Sequence, residues 1–373
     1  MSLNQMPVIG IVERTRKSPF FDATVRWGAK GFTVYNHMLM PIFYETPEAD
    51  YWHLVTNVTL WDVAVERQVE ITGPDAFKLT RLMTPRNLAK CRIGRCKYVP
   101  IIDENGGMIN DPLLLRLAKN HFWLSLADSD VLLYAKGIAY GLGLDVQIRE
   151  PDVSPLAVQG PNSDPVMVEV FGDWVSKLRF FGFRETEIDG IPVVVAKSGW
   201  SKQGGYEIYL RDGRHGDRLW EMMMAAGKKY DIRPATPSTI ERIESGLLSY
   251  GSDMTLENNP FEIGLDKYCD VDQAFDFIGK AALRRIRDEG VTQKLVGLVI
   301  HGDKMTGNSN HWPVQKAGQP TGHVTSAIYS PRLKQNIALA MLPIEHTEVG
   351  TEVEVLTEWG KRTATVNEIP FIK

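Results

Sequence analysis

The sequence contains little cysteine. Its 373 residues include 3 cysteines, Cys91, Cys96 and Cys269, and so small and odd a number argues against the disulfide framework of a secreted protein. The stretch between Cys91 and Cys96 is too long for a redox pair, and no second pair completes a zinc site. We therefore expect reduced, mostly buried thiols in a cytoplasmic protein.

A bias toward one sign of charge and long apolar runs are also missing. Lys and Arg number 42 against 46 Asp and Glu, so the formal net charge is −4 and no general field for nucleic acid or an acidic membrane surface is expected. Pro7, Glu13 and Arg14 break any apolar run near the N-terminus, and later apolar stretches such as Pro112–Leu115 end at charged residues. We therefore expect neither a signal peptide nor a membrane span. The remaining composition, 43% hydrophobic and 24% charged, is typical of a globular protein with two or three domains.

The motifs of several reaction classes are absent. There is no Walker-type phosphate loop, no GxGxxG after a strand, no GxSxG elbow and no HExxH, and the 8 histidines are scattered singly. No metal site is therefore predicted. A chain without its own nucleophile or metal can use a bound organic cofactor, so residue patterns alone indicate a ligand-binding protein.

Residue periodicity predicts mainly strands and turns, with fewer helices. Strand-like runs at 98–102 and 108–115 flank a hairpin turn at 103–107, and a helix is expected from about 131 to 141. This order, with short turns, favours an antiparallel sheet carrying helices over a doubly wound fold. Beyond Gly290 only strands and turns are expected, as in a small β-barrel or sandwich. The predicted fold class is α+β with a C-terminal β domain.

Five motifs in chain order resemble the glycine-cleavage T-protein (aminomethyltransferase) superfamily. They are Gly106–Asp111, Ser198–Trp200 with Gly205–Ile208, Glu241–Leu247, Phe277–Lys280, and Gly322–Ser326 with Ser330–Pro331. The resemblance implies a three-domain cloverleaf around a folate channel. Residues 1–290 would form the folate-binding region, as two interleaved α+β subdomains at about 1–50 plus 150–290 and 51–149. Residues 291–373 would form a C-terminal β-barrel.

Other stretches resemble one group within that superfamily, the dimethylsulfoniopropionate demethylases. They are Thr33–Leu39, Trp61–Ile71, Asn110–Pro112, Ala127–Leu133, Ser198–Glu207 and Gly264–Cys269. The resemblance implies an enzyme that transfers a methyl group from a sulfonium to N5 of tetrahydrofolate. Its partners would be a small-molecule methyl donor and folate. Whether the protein forms a homodimer is left open by the sequence. The donor already carries the activation, so the enzyme has only to hold both reactants in a dry site.

The resemblance assigns four of the site residues to folate. Glu207 would accept hydrogen bonds from the pterin, Trp200 would stack on it or wall it, and Tyr98 would contact it. Arg242 would reach a folate oxygen or carboxylate. The alternatives are an exposed strand residue for Glu207, a core residue for Trp200, cross-strand packing for Tyr98 and local ion pairs for Arg242.

The remaining site residues concern the reacting groups and the pocket wall. Asp111 aligns with the second acid of the T-protein pair, whose first acid is replaced here by Asn110. It would be catalytic, by orienting the donor, stabilising positive charge or helping N5 lose its proton; a turn residue is the alternative. Tyr206 and Lys202 are substrate-binding candidates, for the pocket wall and for the glutamate tail of folate.

Three other functions stay open at this point. A glycine-cleavage aminomethyltransferase would need a lipoyl carrier, and Asn110, Pro112 and Trp200 count against it. A folate-dependent demethylase of another methylated donor would use the same site. A non-catalytic folate-binding protein of the iron–sulfur maintenance type would carry a cysteine signature that 267–270 does not match.

Overall fold

The computed structural model describes residues 12–372. Its helices are α1 (Phe21–Arg26), α2 (Pro47–Thr56), α3 (Ala76–Leu82), α4 (Val131–Gly141), α5 (Ser163–Phe171), α6 (Gly216–Gly227), α7 (Thr239–Glu244) and α8 (Lys280–Glu289). Its strands are β1 (Gly31–Tyr35), β2 (Met38–Phe43), β3 (Val58–Asp62), β4 (Gln68–Thr72), β5 (Arg95–Tyr98), β6 (Ile101–Ile102), β7 (Met108–Asn110), β8 (Leu113–Ala118), β9 (His121–Ser125), β10 (Gln147–Arg149), β11 (Ser154–Gln159), β12 (Phe183–Ile188), β13 (Ile191–Ala196), β14 (Gly205–Leu210), β15 (Ile232–Ala235), β16 (Gln293–Ile300), β17 (Trp312–Lys316), β18 (Gln319–Ser330), β19 (Gln335–Pro343), β20 (Glu352–Thr357) and β21 (Gly360–Asn367).

A six-stranded sheet in the order β12–β13–β14–β11–β3–β15 forms the first layer. All of its pairs are antiparallel except that of β15 with β3. Every residue of β11 and β14 is buried, because α5 and α6 cover one face and a second sheet covers the other. Glu207 therefore sits on a strand with no solvent-facing side.

A five-stranded antiparallel sheet in the order β10–β4–β9–β8–β5 forms the second layer. Its outer face packs on α3 and α4 around Ile71, Leu79 and Phe122. Its inner face meets the first sheet, where the rings of Trp123 and Tyr209 lie 6.2 Å apart. The predicted antiparallel sheet carrying helices is confirmed.

The β6–β7 hairpin leads directly to the site. The Asp103 carboxylate accepts hydrogen bonds from the backbone N–H groups of Asn105 (2.9 Å) and Gly107 (2.7 Å), which closes the turn. A Cβ at Gly107 would lie 2.2 Å from the carbonyl oxygen of Leu256, so only glycine allows this close approach. The predicted turn is confirmed, and it fixes the direction in which the chain enters β8.

The C-terminal region closes into a six-stranded barrel in the order β16–β19–β18–β17–β20–β21. This confirms the barrel and excludes the sandwich. The sequence did not predict β17, which follows a polar loop and starts on a Trp-Pro pair. Helix α7 ends at Glu244, because Gly246 takes a left-handed conformation (φ 65°).

A subdomain edge is expected from the sequence at about residue 51. It falls inside α2, and β3 pairs with β11 and β15 of the six-stranded sheet. The strands of the five-stranded sheet come from the part of the chain between the start of β4 and the end of β10. The chain leaves α8 at Glu289 and enters the barrel at Gln293, on either side of the expected boundary at 291.

Candidate active site

A cavity of about 1170 Å³ opens where the two sheets and the barrel meet. Six of the seven residues predicted from the sequence line it: Tyr98, Asp111, Trp200, Lys202, Glu207 and Arg242. Residues of the barrel, such as Leu295 and Val296, close another part of the wall. The elements that contribute these residues are far apart in the chain, so the site exists only when all three sheet systems are assembled.

Asp111 and Tyr98 form a hydrogen-bonded pair on this wall. The Tyr98 hydroxyl donates to Asp111 Oδ2 at 2.7 Å, while Asp111 Oδ1 is buried without a hydrogen-bond partner in residues 12–372. Burial raises the pKa of Asp111 to about 7, and the bond from Tyr98 offsets only part of that effect. A carboxyl group with one orphaned oxygen and a pKa near neutrality is suited to acid–base or electrostatic work.

Asn110 holds the backbone next to Asp111. Its amide nitrogen donates to the Ala127 carbonyl (2.9 Å) and the Ser129 hydroxyl (2.8 Å), and its amide oxygen accepts from the Ala127 N–H (3.1 Å). The side chain is fully buried. The amide that stands in place of the first acid therefore ties β7 to the segment after β9, which positions Asp111.

Glu207 faces the cavity from the centre of β14. It is 4% exposed, and its Oε2 accepts hydrogen bonds from the hydroxyls of Ser198 and Tyr209 (2.9 Å). Burial raises the pKa of Glu207, and these two bonds lower it in part. Both bonds fall on one oxygen, so Oε1 remains for a ligand with N–H donors.

The loop 198–205, which carries Trp200 and Lys202, is fixed from both sides. Gln159 accepts from the Ser201 hydroxyl at 2.7 Å and donates to the Ser198 carbonyl at 3.2 Å. Glu241 accepts from the backbone N–H of Lys202 at 2.9 Å. These buried anchors hold Trp200 half-buried at the cavity wall and leave Lys202 exposed at its rim.

Arg242 has partners that the sequence did not reveal. Its guanidinium donates to Asp253 Oδ2 and to the Ser326 hydroxyl, both at 2.7 Å, and thereby joins α7 to the barrel. It also lines a second cavity of about 610 Å³, which shares Pro237, Thr239 and Ser252 with the first. Arg242 is thus part of the wall between the two cavities, and its charge is already paired.

Tyr206 does not lie where the sequence analysis placed it. Its ring is fully buried in the core behind the six-stranded sheet, and its hydroxyl donates to Asp164 at 2.5 Å. Neighbouring residues on a strand point to opposite faces, so Tyr206 and Glu207 cannot both face the cavity. The prediction that Tyr206 walls the substrate pocket is wrong.

Removing the Tyr206 hydroxyl should affect stability and spare catalysis. In Tyr206→Phe the hydrogen bond to Asp164 is lost at the edge of the core, and we expect about 1 kcal/mol of destabilisation in urea unfolding. The kcat and KM values should stay within about twofold of the wild type, since the ring does not touch the cavity. A large loss of activity in a Tyr206→Phe protein of normal stability would contradict this placement and show that Tyr206 contributes to the site.

Sequence reasoning missed Glu66 and Tyr35, which also line the cavity. Glu66 lies in the turn between β3 and β4, and Tyr35 ends β1. Neither belongs to a motif with a recognised chemical role. The available signal was that both residues lie in stretches, 33–39 and 61–71, that resemble the dimethylsulfoniopropionate demethylases.

The three cysteines are free, with Cys91 and Cys96 buried. Within residues 12–372, no group of three or more His, Cys, Asp or Glu side chains is arranged to hold a metal ion. In the same range no helix is both long and apolar enough to cross a membrane.

Comparison with known proteins identifies the class. The GCVT N-terminal domain matches residues 20–273, and the glycine cleavage T-protein C-terminal barrel domain matches residues 293–373. The chain therefore belongs to the glycine cleavage T-protein family. The structure of glycine cleavage system aminomethyltransferase T from Bartonella henselae shares its fold, with a TM-score of 0.87 over 96% of this chain and 98% of that one, at 22% identity.

Two relatives show where the chain stands within the family. It is 47% identical to dimethylsulfoniopropionate demethylase DmdA of Ruegeria pomeroyi, over 95% of this chain and 97% of that protein. It is 30% identical to an aminomethyltransferase of Symbiobacterium thermophilum, over 97% and 98% of the two chains.

Proposed function

We propose that this protein is a tetrahydrofolate-dependent methyltransferase that demethylates dimethylsulfoniopropionate, giving 3-methylthiopropionate and 5-methyltetrahydrofolate. The observation that carries the proposal is the 47% identity to the demethylase over nearly the whole of both chains, well above the 30% shared with the aminomethyltransferase. The arrangement of the cavity is compatible with that chemistry and supports it independently.

The cavity suits two ligands bound together. Sites for one drug-sized ligand span about 300–1,000 Å³, and this cavity measures about 1170 Å³. Its buried acceptor Glu207 fits the N–H donors of a reduced pterin, and the orphaned Oδ1 of Asp111 remains for the reacting groups. Folate supplies the N5 nucleophile: the C–S electron pair stays on sulfur, a bond forms from N5 to the methyl carbon, and the N5 proton leaves.

The residues would divide the work as follows. We propose that Glu207 accepts hydrogen bonds from the pterin and that Trp200 and Tyr98 contact it. Asp111 orients the donor and stabilises positive charge, or takes the N5 proton. Lys202, at the rim, meets an anionic tail. Arg242, paired to Asp253, contributes to folate binding chiefly by fixing the wall between the cavities.

The test is turnover with a panel of donors. Purified protein with tetrahydrofolate should form 5-methyltetrahydrofolate and 3-methylthiopropionate from dimethylsulfoniopropionate, and less product from a betaine or a methylated amino acid. Ammonia release that depends on an added lipoyl carrier protein would favour the glycine-cleavage reaction instead. Folate binding without turnover on any donor would indicate a non-catalytic folate-binding protein.

The pH profile should report Asp111. Its pKa of about 7 means that the carboxylate needed for this role is lost as the pH falls through neutrality. Because kcat/KM follows the free enzyme, we expect it to fall about tenfold per pH unit below that pKa. Measuring kcat/KM from pH 5 to 9 checks this; a flat profile down to pH 5 would contradict it.

A further inference from the structure

Glu66 brings a third carboxylate to the cavity that holds Asp111 and Glu207. Its turn is fixed by two backbone contacts: the Glu66 N–H donates to the Val63 carbonyl at 2.9 Å, and the Gln68 side chain donates to the Glu66 carbonyl at 2.6 Å. The side chain is thus presented to the cavity from the link between the two sheets.

A relay of hydrogen bonds makes Glu66 an acceptor. The Gln68 side-chain nitrogen donates to the Ser125 hydroxyl oxygen at 2.8 Å, and Ser125 Oγ lies 3.2 Å from Glu66 Oε2. Since Ser125 accepts from Gln68, its own proton points to Glu66. Gln68 and Ser125 are both buried, so this polarity is built into the fold.

The three carboxylates form no ion pair with the side chains that the structure describes. Among residues 12–372, no salt bridge within 4.0 Å reaches Glu66, Asp111 or Glu207. Burial and the nearby charges of Glu207 and Asp111 raise the pKa of Glu66 well above its usual value. Burial raises the pKa of Tyr35 as well, and the charges of Asp111, Glu66 and Asp128 add to that effect. The cations on the cavity wall are Lys202, Arg242, Lys267 and Lys294.

The three acids, which form no ion pair with the described side chains, fit an organic cation. The described side chains offer no arrangement of three ligands for a metal ion, and the wall beside the acids carries the aromatic rings of Tyr35, Tyr98 and Trp200. Carboxylates together with aromatic faces recognise organic cations such as sulfonium or quaternary ammonium groups. These cations are larger and more weakly hydrated than metal ions, so they do not need a set of coordinating ligands.

We propose that Glu66 recognises the positive charge of the methyl donor and restricts the site to cationic donors, an inference that rests on the proposed function. Binding of the cation favours the ionised form of the acids around it, so donor binding is accompanied by proton release. Glu66 acts here on selection of the donor and is separate from the pterin contact assigned to Glu207.

The experiment compares a cation with its neutral isostere. Dimethylsulfoniopropionate and 4-methylpentanoate differ by S⁺ against CH, and their Kd values are measured by calorimetry with the wild type, Glu66→Gln and the control Glu104→Gln. Glu104→Gln makes the same substitution in the exposed hairpin turn, away from the cavity. Glutamine keeps the size of Glu66 and an acceptor for Ser125.

We expect the wild type and the control to prefer the cation by about tenfold or more, and Glu66→Gln to reduce that preference below about threefold. Calorimetry in buffers of different ionisation enthalpy should show fewer protons released by Glu66→Gln. Tetrahydrofolate affinity should be unchanged in all three proteins. If Glu66→Gln does not bind folate, Ser125→Ala, which removes the orienting hydroxyl, is measured in its place and should reduce the preference in the same direction.

An unchanged preference for the cation in a variant that binds folate normally would overturn the inference. This result is distinguishable from failure of the proposed function. If the wild type forms no 5-methyltetrahydrofolate from dimethylsulfoniopropionate, the proposed function fails. The binding preference for a cation, and its dependence on Glu66, is measured without turnover.

Discussion

Asp111→Asn is expected to lower kcat by about 10²–10³, the usual loss when one preorganised charge-stabilising group is removed from an active site. Tetrahydrofolate affinity should change by less than about threefold, because asparagine keeps an oxygen that can accept from Tyr98 at the same position. Steady-state kinetics and a separate folate titration measure the two quantities. An unchanged kcat would remove Asp111 from the chemistry.

The same substitution should stabilise the protein at alkaline pH. The pKa of Asp111 is raised from 3.8 to about 7 on folding, so the folded state holds its proton more tightly than the unfolded state. The wild type therefore loses stability as the pH rises from about 4 to 7, by up to about 4 kcal/mol at 1.36 kcal/mol per unit. Asp111→Asn has no such loss. Urea unfolding should show it to be more stable than the wild type above pH 7 and similar near pH 4.

Glu207→Ala is expected to raise the Kd for tetrahydrofolate by about 100-fold, because a buried acceptor of charge-assisted hydrogen bonds is lost. Glu207→Gln keeps the volume and one acceptor oxygen and should show a smaller loss. The matched control is Tyr206→Phe, which changes the next residue on the same strand but faces the opposite side of the sheet. Its folate affinity should equal that of the wild type.

The folate titration decides the role of Glu207. A Kd that stays within about threefold of the wild type in a folded Glu207→Ala protein would mean that the pterin lies elsewhere in the cavity. A loss of similar size in Tyr206→Phe would point instead to disruption of β14 as a whole. Thermal unfolding of the three proteins without ligand separates this effect from lost binding.

Motifs shared with the family, together with local patterns of strand and turn, predicted most of the site residues. The resemblance to the family supplied the roles of Asp111 and Glu207, and the local patterns supplied the turn at 103–107 before Asp111 and the alternating strand that carries Glu207. The same alternation excludes Tyr206 from the cavity, so that error came from following the neighbourhood of a motif rather than the two-residue period of a strand. If this two-residue period is applied strictly, the sequence alone is sufficient to place Tyr206 and Glu207 on opposite faces of the sheet.

Other features depend on contacts between distant segments and could not be predicted. The pairing of Arg242 with Asp253 and Ser326 joins a helix to the barrel, and the hydroxyl of Ser125 meets Glu66 only because β9 and the turn after β3 lie side by side. Residue periodicity predicted the β domain but not its strand β17. This strand is short and has a proline at its second position, so its alternating pattern is weak.

The central claim is methyl transfer from a sulfonium to folate, and a labelled methyl group tests it most directly. Dimethylsulfoniopropionate carrying ¹³C in its S-methyl groups is incubated with the protein and unlabelled tetrahydrofolate, and the products are followed by NMR. The label should appear in the N-methyl group of 5-methyltetrahydrofolate in step with 3-methylthiopropionate, and the Asp111→Asn protein should slow both together. Labelled methyl that stays entirely on sulfur compounds while the wild type is folded and binds folate would contradict the account.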